Sequence, residues 1–475
     1  MRRVRFLNGV RTVGGVQFVV QDGPCGLVCD VGVVGNPAIV RREALFNPLL
    51  PPRSDLVLMD YLRAGMAPLV EGLYDPALLT DSISGLTAPL RRPGRLLEDH
   101  PLVDDVDPNQ LAVFVSHLHE DHMQLLPFLA PGLPVFVSPP TARFHAALVA
   151  AGVLPSTRAR LIPLAPGSVE RFGGLQIEVV PVDHDVPGSA GVLVTTRGGR
   201  LAYTGDWRLH GCHPEEVTGF AARCRGVDVL VTEASTAVAP DAPATALPNL
   251  TERELVERFA DLVVEAEAGV YCSFHERNLE RQAAIRRAAR AAGRVLVLSR
   301  RTYAIWHAAA EQGFEDLALG PDVAVWATDG DPAADRYQVP SDAPIVTSRQ
   351  VAADAAAFVC EIRRYDRPLL LELGAGHDDL YVYLNGYPHG PADPGWEVLM
   401  TWVRRLGLRF VGLSSHGHAL PDALRWLVEE IRPAVVVPVH TNAPECFPPV
   451  TVPVCPVRRG EALPLQVSAG AEVGS

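Results

Sequence analysis

Lysine is absent from this chain: all 42 basic residues are arginine. A guanidinium fork suits phosphate oxygens, but the surrounding Ala, Arg, Pro and Gly bias reads as the mark of a GC-rich coding sequence. Net charge is −13, which excludes broad nonspecific attraction to nucleic acid and leaves room only for a local basic groove. Cysteine is sparse. The eight, at 25, 29, 212, 224, 272, 360, 446 and 455, form no C-x-x-C pair, and a chain of this length needs no disulfide framework. They read as small buried hydrophobes, and Cys25 and Cys29, flanking an apparent strand, are not ligand candidates. No apolar run approaches the length of a membrane span. The N-terminus "MRRVRFLNGVRTVGGVQFVV" lacks the continuous apolar core of a signal peptide. A cytoplasmic protein without a membrane partner is expected. Internal repeats and low-complexity tracts are missing too.

What is present is an ordinary globular composition, 48% hydrophobic and 20% charged over 475 residues, enough for two or three domains. "VQFVVQDG" and "GLVCDVGV" read as opening strands. Residues 35–110 read as loops and short helices, leading into the strand "LAVFVS" at 111–116. "RLIPLAPGSVERFGGLQIEVVPVDH" and "AGVLVTTRGGRLAYTGD" continue as short strands, so the first half is β-rich. From about 250 the texture changes. Thr251 and Glu254 make a capping box, Leu255, Phe259, Leu262, Val263 and Ala266 share a helical face, and Gly269 is the expected stop. "VYCSF", a helix over 279–292, "RVLVLS" and a helix from 302 repeat the alternation of a parallel α/β unit. After "PDALRWLVEEI" and "AVVVPVH" a β tail resumes the earlier character, which marks the α/β unit as an insertion.

The densest chemistry lies in "SHLHEDH", residues 116–122. Alternation along an extended chain puts His117 and His119 on one side. Asp121 and His122 then open the segment "MQLLPFLA", which can begin a helix. Imidazole and carboxylate are zinc ligands, and H-x-H-x-D-H has no comparable structural explanation. One loop cannot complete a two-metal site. Further candidates follow apolar runs: His184 in "PVDHDVPGSAG", Asp206 in "YTGDWRLHG" and His440 in "VVVPVHTN". Taken singly, Asp206 reads equally as a turn residue and His440 as a capping group.

Together these motifs resemble the metallo-β-lactamase fold in its β-CASP branch, the ribonuclease J-like nucleases. "VLVTEAST" matches the branch's acidic motif through Glu233. "SSHGHALPDAL" matches its SGHA motif through His418, with His416 where Ser is usual, and "CDVGV" supplies Asp30. The resemblance covers nearly the whole chain, in family order. It implies an α/β fold: a metallo-β-lactamase αββα sandwich with an inserted parallel α/β β-CASP domain. The sandwich would comprise residues 1–245 and 423–475, and the insertion residues 246–422. It also implies two Zn2+, with Mn2+ as an alternative occupant. One ion would sit on His117, His119 and His184, the other on Asp121, His122 and His440, with Asp206 bridging. Asp30 would orient a ligand imidazole. Family members carry a further C-terminal domain, whereas about 35 residues follow His440 here, so the family's mode of oligomerisation is not carried over and the oligomeric state is left open. Glu120, Asp183, Asp185, His210 and His416 keep a loop or surface role by default.

The implied function is zinc-dependent phosphodiester hydrolysis. A metal pair acidifies water and neutralises phosphate charge, with Asp121, His418 and Glu233 the residues expected to carry catalysis. His418 would meet the phosphate or protonate the leaving oxygen, held protonated by Glu233. Ser414, Ser415 and His416, ahead of a helix starting near Pro421, would cradle phosphate. Within the family DNA-processing members carry Val at the late motif and RNA-processing members His, so His440 points to single-stranded RNA as substrate, with DNA the alternative. Small-molecule ester or lactone hydrolases share the metal core but lack the insertion. A non-catalytic nucleic-acid-binding subunit would tend to lose ligands that this chain keeps.

Overall fold

The computed structural model describes residues 2–33, 57–79, 102–239, 247, 249–328, 330–331, 333–363, 366–385 and 394–465. Much of the expected loop region at 35–110, and the expected boundary at 245/246, lie outside these residues.

Three sheets organise the chain. The first sets β1 (Arg2–Asn8), β2 (Gln17–Asp22), β3 (Cys25–Cys29), β4 (Leu111–Phe114), β5 (Pro134–Val137) and β6 (Arg160–Pro163) side by side. Its pairing is antiparallel up to β3 and parallel from there on. The second runs β7 (Glu170–Phe172), β8 (Leu175–Pro181), β9 (Ala190–Thr195) and β10 (Arg200–Tyr203) as an antiparallel meander, then adds β11 (Val229–Glu233) in parallel. The third comprises β12 (Val270–Ser273), β13 (Val295–Leu298), β14 (Val323–Trp326), β15 (Ile345–Val346), β16 (Phe358–Glu361), β17 (Leu380–Tyr383) and β18 (Arg409–Gly412). Its order is β15-β14-β13-β16-β12-β17-β18, and every pairing is parallel. The chain then returns. β19 (Val435–Val439) lies parallel on β11, and β20 (Ala462–Pro464) antiparallel on β1.

Side-chain alternation decides what each sheet faces. Phe6, Phe18 and Phe114 of the first sheet pack against Val192, Tyr203, Val231 and Val437 of the second. Their neighbours Val19, Val28 and Val113 point the other way, onto Phe144 and Leu148 of the helix Pro139–Ala150. On the far side of the second sheet, Leu424, Leu427 and Val428 of the helix Pro421–Ile431 meet Phe220 of the helix Pro214–Arg223. The result is a helix–sheet–sheet–helix sandwich. In the third sheet, runs such as "VLVL" and "VAVW" are apolar throughout because helices cover both faces. No helix among the described residues is long and apolar enough to cross a membrane.

Local signals in the sequence are reproduced with small shifts. The Thr251–Glu254 capping box opens the helix Glu252–Glu265, whose Leu255, Phe259 and Val263 are buried. That helix stops at Glu265 rather than at Gly269, because Ala266 is already extended and feeds the chain into β12. β4 stops at Phe114 rather than Ser116, since the Ser116 N–H leaves the ladder to donate to the Asp30 carboxylate at 2.7 Å.

Candidate metal centre

The candidate residues leave the carboxyl ends of strands in both sandwich sheets. Asp30 follows β3, His117 follows β4, His184 follows β8, Asp206 follows β10 and His440 follows β19, while Glu233 ends β11. Asp30 and His440 both have φ of +56°, a left-handed conformation that residues other than glycine seldom adopt. Each is pinned by its own N–H, to Phe114 O and Gly9 O respectively, both at 2.8 Å. Gly205 (φ +61°) turns the chain into Asp206, and a Cβ there would lie 2.7 Å from that of Ser116. Hence the glycine of "TGD".

The first cluster folds differently in detail from the sequence expectation. The helix begins at Glu120 with His119 as its N-cap, so Asp121 and His122 ride in its first turn. Gly32 passes so close that a Cβ would fall 1.7 Å from Asp121 O.

Two groups of donors form. His117 Nε2 and His184 Nε2 lie 3.1 and 3.2 Å from His119 Nδ1. Beside them, Asp121 Oδ2 lies 3.1 Å from His440 Nε2 and 3.8 Å from His122 Nε2. Asp206 Oδ2 spans the groups, at 3.9 Å from His117 Nε2, 3.3 Å from His122 Nε2 and 3.5 Å from His440 Nε2. The outer ring nitrogens are held. Asp30 accepts from Ser116 Oγ, Tyr203 OH and His122 Nδ1 at 2.7–2.8 Å. His184 Nδ1 donates to Gly417 O at 2.6 Å, and His440 Nδ1 meets Ser235 Oγ at 2.7 Å. The inner atoms are not all satisfied: His122 Nε2, Asp206 Oδ1 and His418 Nδ1 are buried without hydrogen-bond partners. Buried polar atoms are normally paired. A nest of imidazole and carboxylate with unpaired atoms turned inward fits divalent cations such as zinc or manganese.

Electrostatics agree. Burial opposes charge on Asp206, yet His440, His122 and His418 hold its pKa well below the carboxylate range. Burial likewise opposes charge on His122, and Asp206, Asp121 and Asp30 nevertheless raise its pKa well above that of free imidazole. His440 is raised likewise, by Asp206 and Asp121, whereas burial lowers His117, His119 and His184.

The late motif is buried or partly buried throughout. Ser414 and Ser415 are 1% and 0% exposed, and Ser415 Oγ accepts from Arg208 Nη1 at 3.4 Å. The Ser415 hydroxyl, expected to meet phosphate, is thus engaged by Arg208. His416 stays partly exposed, with its N–H donating to Asn249 Oδ1 at 2.6 Å and its carbonyl accepting from His210 Nε2 at 2.8 Å. Glu233 is fully buried, with Oε1 accepting from Ala419 N at 2.7 Å and Oε2 from Ser235 N at 2.8 Å. It lies 3.7 Å from His418 Nδ1 and ties down that loop rather than supplying charge: burial, then Asp206, pushes its pKa up to about 7. Burial also drives the His418 pKa well below the imidazole value, so a permanently protonated His418 is not what this environment favours. His418 Nδ1 is 3.5 Å from Asp206 Oδ2 and groups with Asp206 and His440 as a further set of converging donors.

Two residues of the site, Asp185 and His275, were passed over in the sequence. Asp183 and Asp185 are 2% and 8% exposed, not surface loop residues. His275, beyond β12 of the third sheet, stacks edge-on to His119 with ring centroids 4.9 Å apart. The usable signal for Asp185 was a second carboxylate immediately after a candidate ligand. His275 offered none, because its approach depends on how the third sheet docks.

The chain is similar in sequence and fold to known proteins. Residues 77–275 match the beta-lactamase superfamily domain. Ribonuclease J of Sinorhizobium meliloti is 26% identical over 356 residues, covering 70% of this chain and 58% of that protein. Ribonuclease J of Mycobacterium tuberculosis is 26% identical over 367 residues, 73% of this chain and 60% of its own length. That of Pyrococcus abyssi is 24% identical, covering 74% of this chain and 78% of itself. The chain thus spans under two thirds of the first two relatives. A crystal structure of a protein of unknown function from Enterococcus faecalis superposes with a TM-score of 0.72 at 24% identity, covering 98% of this chain and 100% of that one. It shares the fold.

Proposed function

From a metallo-β-lactamase fold with ribonuclease J-like sequence, we propose that this chain is a zinc-dependent phosphodiester hydrolase that cleaves RNA. The observation that carries the reading is the convergence of two donor groups on Asp206, with inward atoms left unpaired. His117, His119 and His184 would hold one ion, and Asp121, His122 and His440 the other, with Asp206 shared. Bound there, the ions lower the pKa of water towards neutrality and neutralise phosphate charge.

The chain's own groups do the rest. Asp30 fixes the His122 tautomer through Nδ1, leaving Nε2 turned to the centre. His418, its side chain 21% exposed and beside Asp206, is placed to pass a proton to a leaving oxygen, alternating between neutral and charged forms. Glu233 positions it through the Ala419 N–H. Residues 246–422 are read as an inserted β-CASP domain that clamps a single strand over the centre, flanked by a sandwich of residues 1–245 and 423–475. His440 at the late motif favours RNA over DNA, by the resemblance given above.

Incubation of metal-loaded protein with end-labelled RNA bearing a 5′-phosphate or a 5′-triphosphate, beside matched DNA, tests this. Cleavage of RNA in preference to DNA is expected. Cleavage of DNA alone would move the reading to its alternative, and no cleavage of either, with metal bound, would overturn it.

A further inference from the structure

Beside these donor groups lies another convergence, of which the proposed chemistry uses only His119. His119, Asp185 and His275 each bring one nitrogen or oxygen within 4.8 Å of the others. All three also carry a buried atom without a hydrogen-bond partner: His119 Nε2, Asp185 Oδ1 and His275 Nδ1. His119 Nε2 and Asp185 Oδ1 are 3.6 Å apart. Asp185 is 8% exposed, so its unpaired oxygen is not simply hydrated.

Donor arithmetic narrows what this trio can do. A neutral imidazole has one N–H and one lone pair. His119 Nδ1 already points at His117 and His184, so on the metal reading its lone pair is spent there. Nε2 must then carry the hydrogen and can only donate. That rules against a third cation on His119 and calls for an acceptor, which an ionised carboxylate supplies. Asp185 Oδ1 is that acceptor: His184 Nε2 lies nearer to it, at 3.2 Å, but on the metal reading that nitrogen spends its lone pair on the ion and has no hydrogen to give, which leaves His119 Nε2 as the donor. A small rotation of ring or carboxylate closes the remaining gap. His275 brings a ring nitrogen within 4.8 Å of the same group, and it comes from beyond β12 of the third sheet. Two residues on, Arg277 grips the ligand loop by donating to Leu118 O and pairing with Glu120.

We infer that Asp185 is a positioning residue that holds His119 in its Nδ1-ligating tautomer, and that His275 anchors the same carboxylate from the parallel sheet. The inference rests on the metal reading above. Carboxylates that orient ligand histidines typically contribute 10- to 100-fold to metal affinity.

The test uses the full chain and its affinity for Zn2+, measured by chelator competition, with metal-free thermal unfolding as a control for folding. Asp185→Ala should weaken Zn2+ binding by about 10- to 100-fold. Asp185→Asn, which keeps an acceptor oxygen, should recover most of that loss, and His275→Ala should weaken binding less than Asp185→Ala. Should the alanine variant fail to fold, Asp185→Leu, similar in shape but without an acceptor, takes its place. Two bound ions in the wild type with unchanged affinity in the Asp185 variants would overturn this inference and leave the function reading standing. An asparagine variant as weak as alanine would overturn it also. Three ions in the wild type, falling to two in Asp185→Ala, would replace it with a third cation site. A wild type that binds no Zn2+ or Mn2+ would overturn both.

Discussion

The histidine cluster and the cluster around Glu252 are both buried and charged, and they are resolved in opposite ways. Glu252 takes Arg281 Nε on Oε2 at 3.0 Å, pairs its Oε1 with Arg208 Nη1 at 2.9 Å, and also binds Arg281 Nη2. Both its oxygens are used, and the atom left over in this cluster is Arg208 Nε, on the cation rather than on the carboxylate. In the histidine cluster, His122 Nε2, Asp206 Oδ1 and His418 Nδ1 have no hydrogen-bond partner. An unsatisfied buried polar atom costs about 1–3 kcal/mol. Several together mark a place where the fold awaits something from outside. A buried charge whose partners are complete is a strut, and one whose partners are missing is a site.

Loss of a ligand from the open cluster should have the largest effect. His119→Ala and Asp121→Ala should each release metal and abolish RNA hydrolysis, read by elemental analysis and turnover on one sample. Full activity in either variant would remove the contrast between the clusters. His418→Ala comes next. It should lower turnover by about 10²- to 10⁴-fold while metal content stays constant, and His416→Ala should lose far less. Metal loss in His418→Ala would make His418 a ligand, as its grouping with Asp206 and His440 allows.

Breaking the closed cluster should instead unfold the chain. Glu252→Ala leaves Arg208 and Arg281 buried without their carboxylate, a change worth roughly 3–5 kcal/mol, measurable by denaturant unfolding. Metal stoichiometry in the folded fraction should not change. The pH dependence has a definite sign. Burial opposes charge on Glu252, yet Arg281 and Arg208 lower its pKa from 4.5 to about 2. Its stabilising contribution is therefore complete above pH 4.5 and fades as pH falls towards 2. The alanine variant should lose that part of the wild type's acid sensitivity. The smallest effect should come from Ser415→Ala. Its hydroxyl is turned onto Arg208 and away from solvent, so KM for RNA should barely move. A large rise in KM would restore Ser415 as a phosphate contact.

Much of this was legible in the chain before any fold was known. H-x-H-x-D-H compresses four donors into one loop, and each remaining candidate ligand follows an apolar run that ends as a strand. Strand ends are where a sheet delivers side chains to its edge, so His184, Asp206 and His440 were readable as candidates from pattern alone. The helix over 252–265 was readable from its capping box. The misses have one cause. Asp185 and His275 meet only because the third sheet docks against the sandwich, and no local pattern reports on that contact. Ser415 has a surrounding that sequence could not show either: a serine beside a glycine-containing loop looks open in sequence, and Arg208, some 207 positions away, meets its hydroxyl.

We propose that the unpaired atoms around Asp206 are a two-ion site that serves RNA cleavage. Titrating the metal-stripped chain with Zn2+, while following bound metal and cleavage of 5′-phosphorylated RNA in the same samples, tests it most directly. The account predicts saturation at about two ions per chain, with cleavage appearing as the sites fill. Saturation below about one ion, or full occupancy without RNA cleavage, would contradict it.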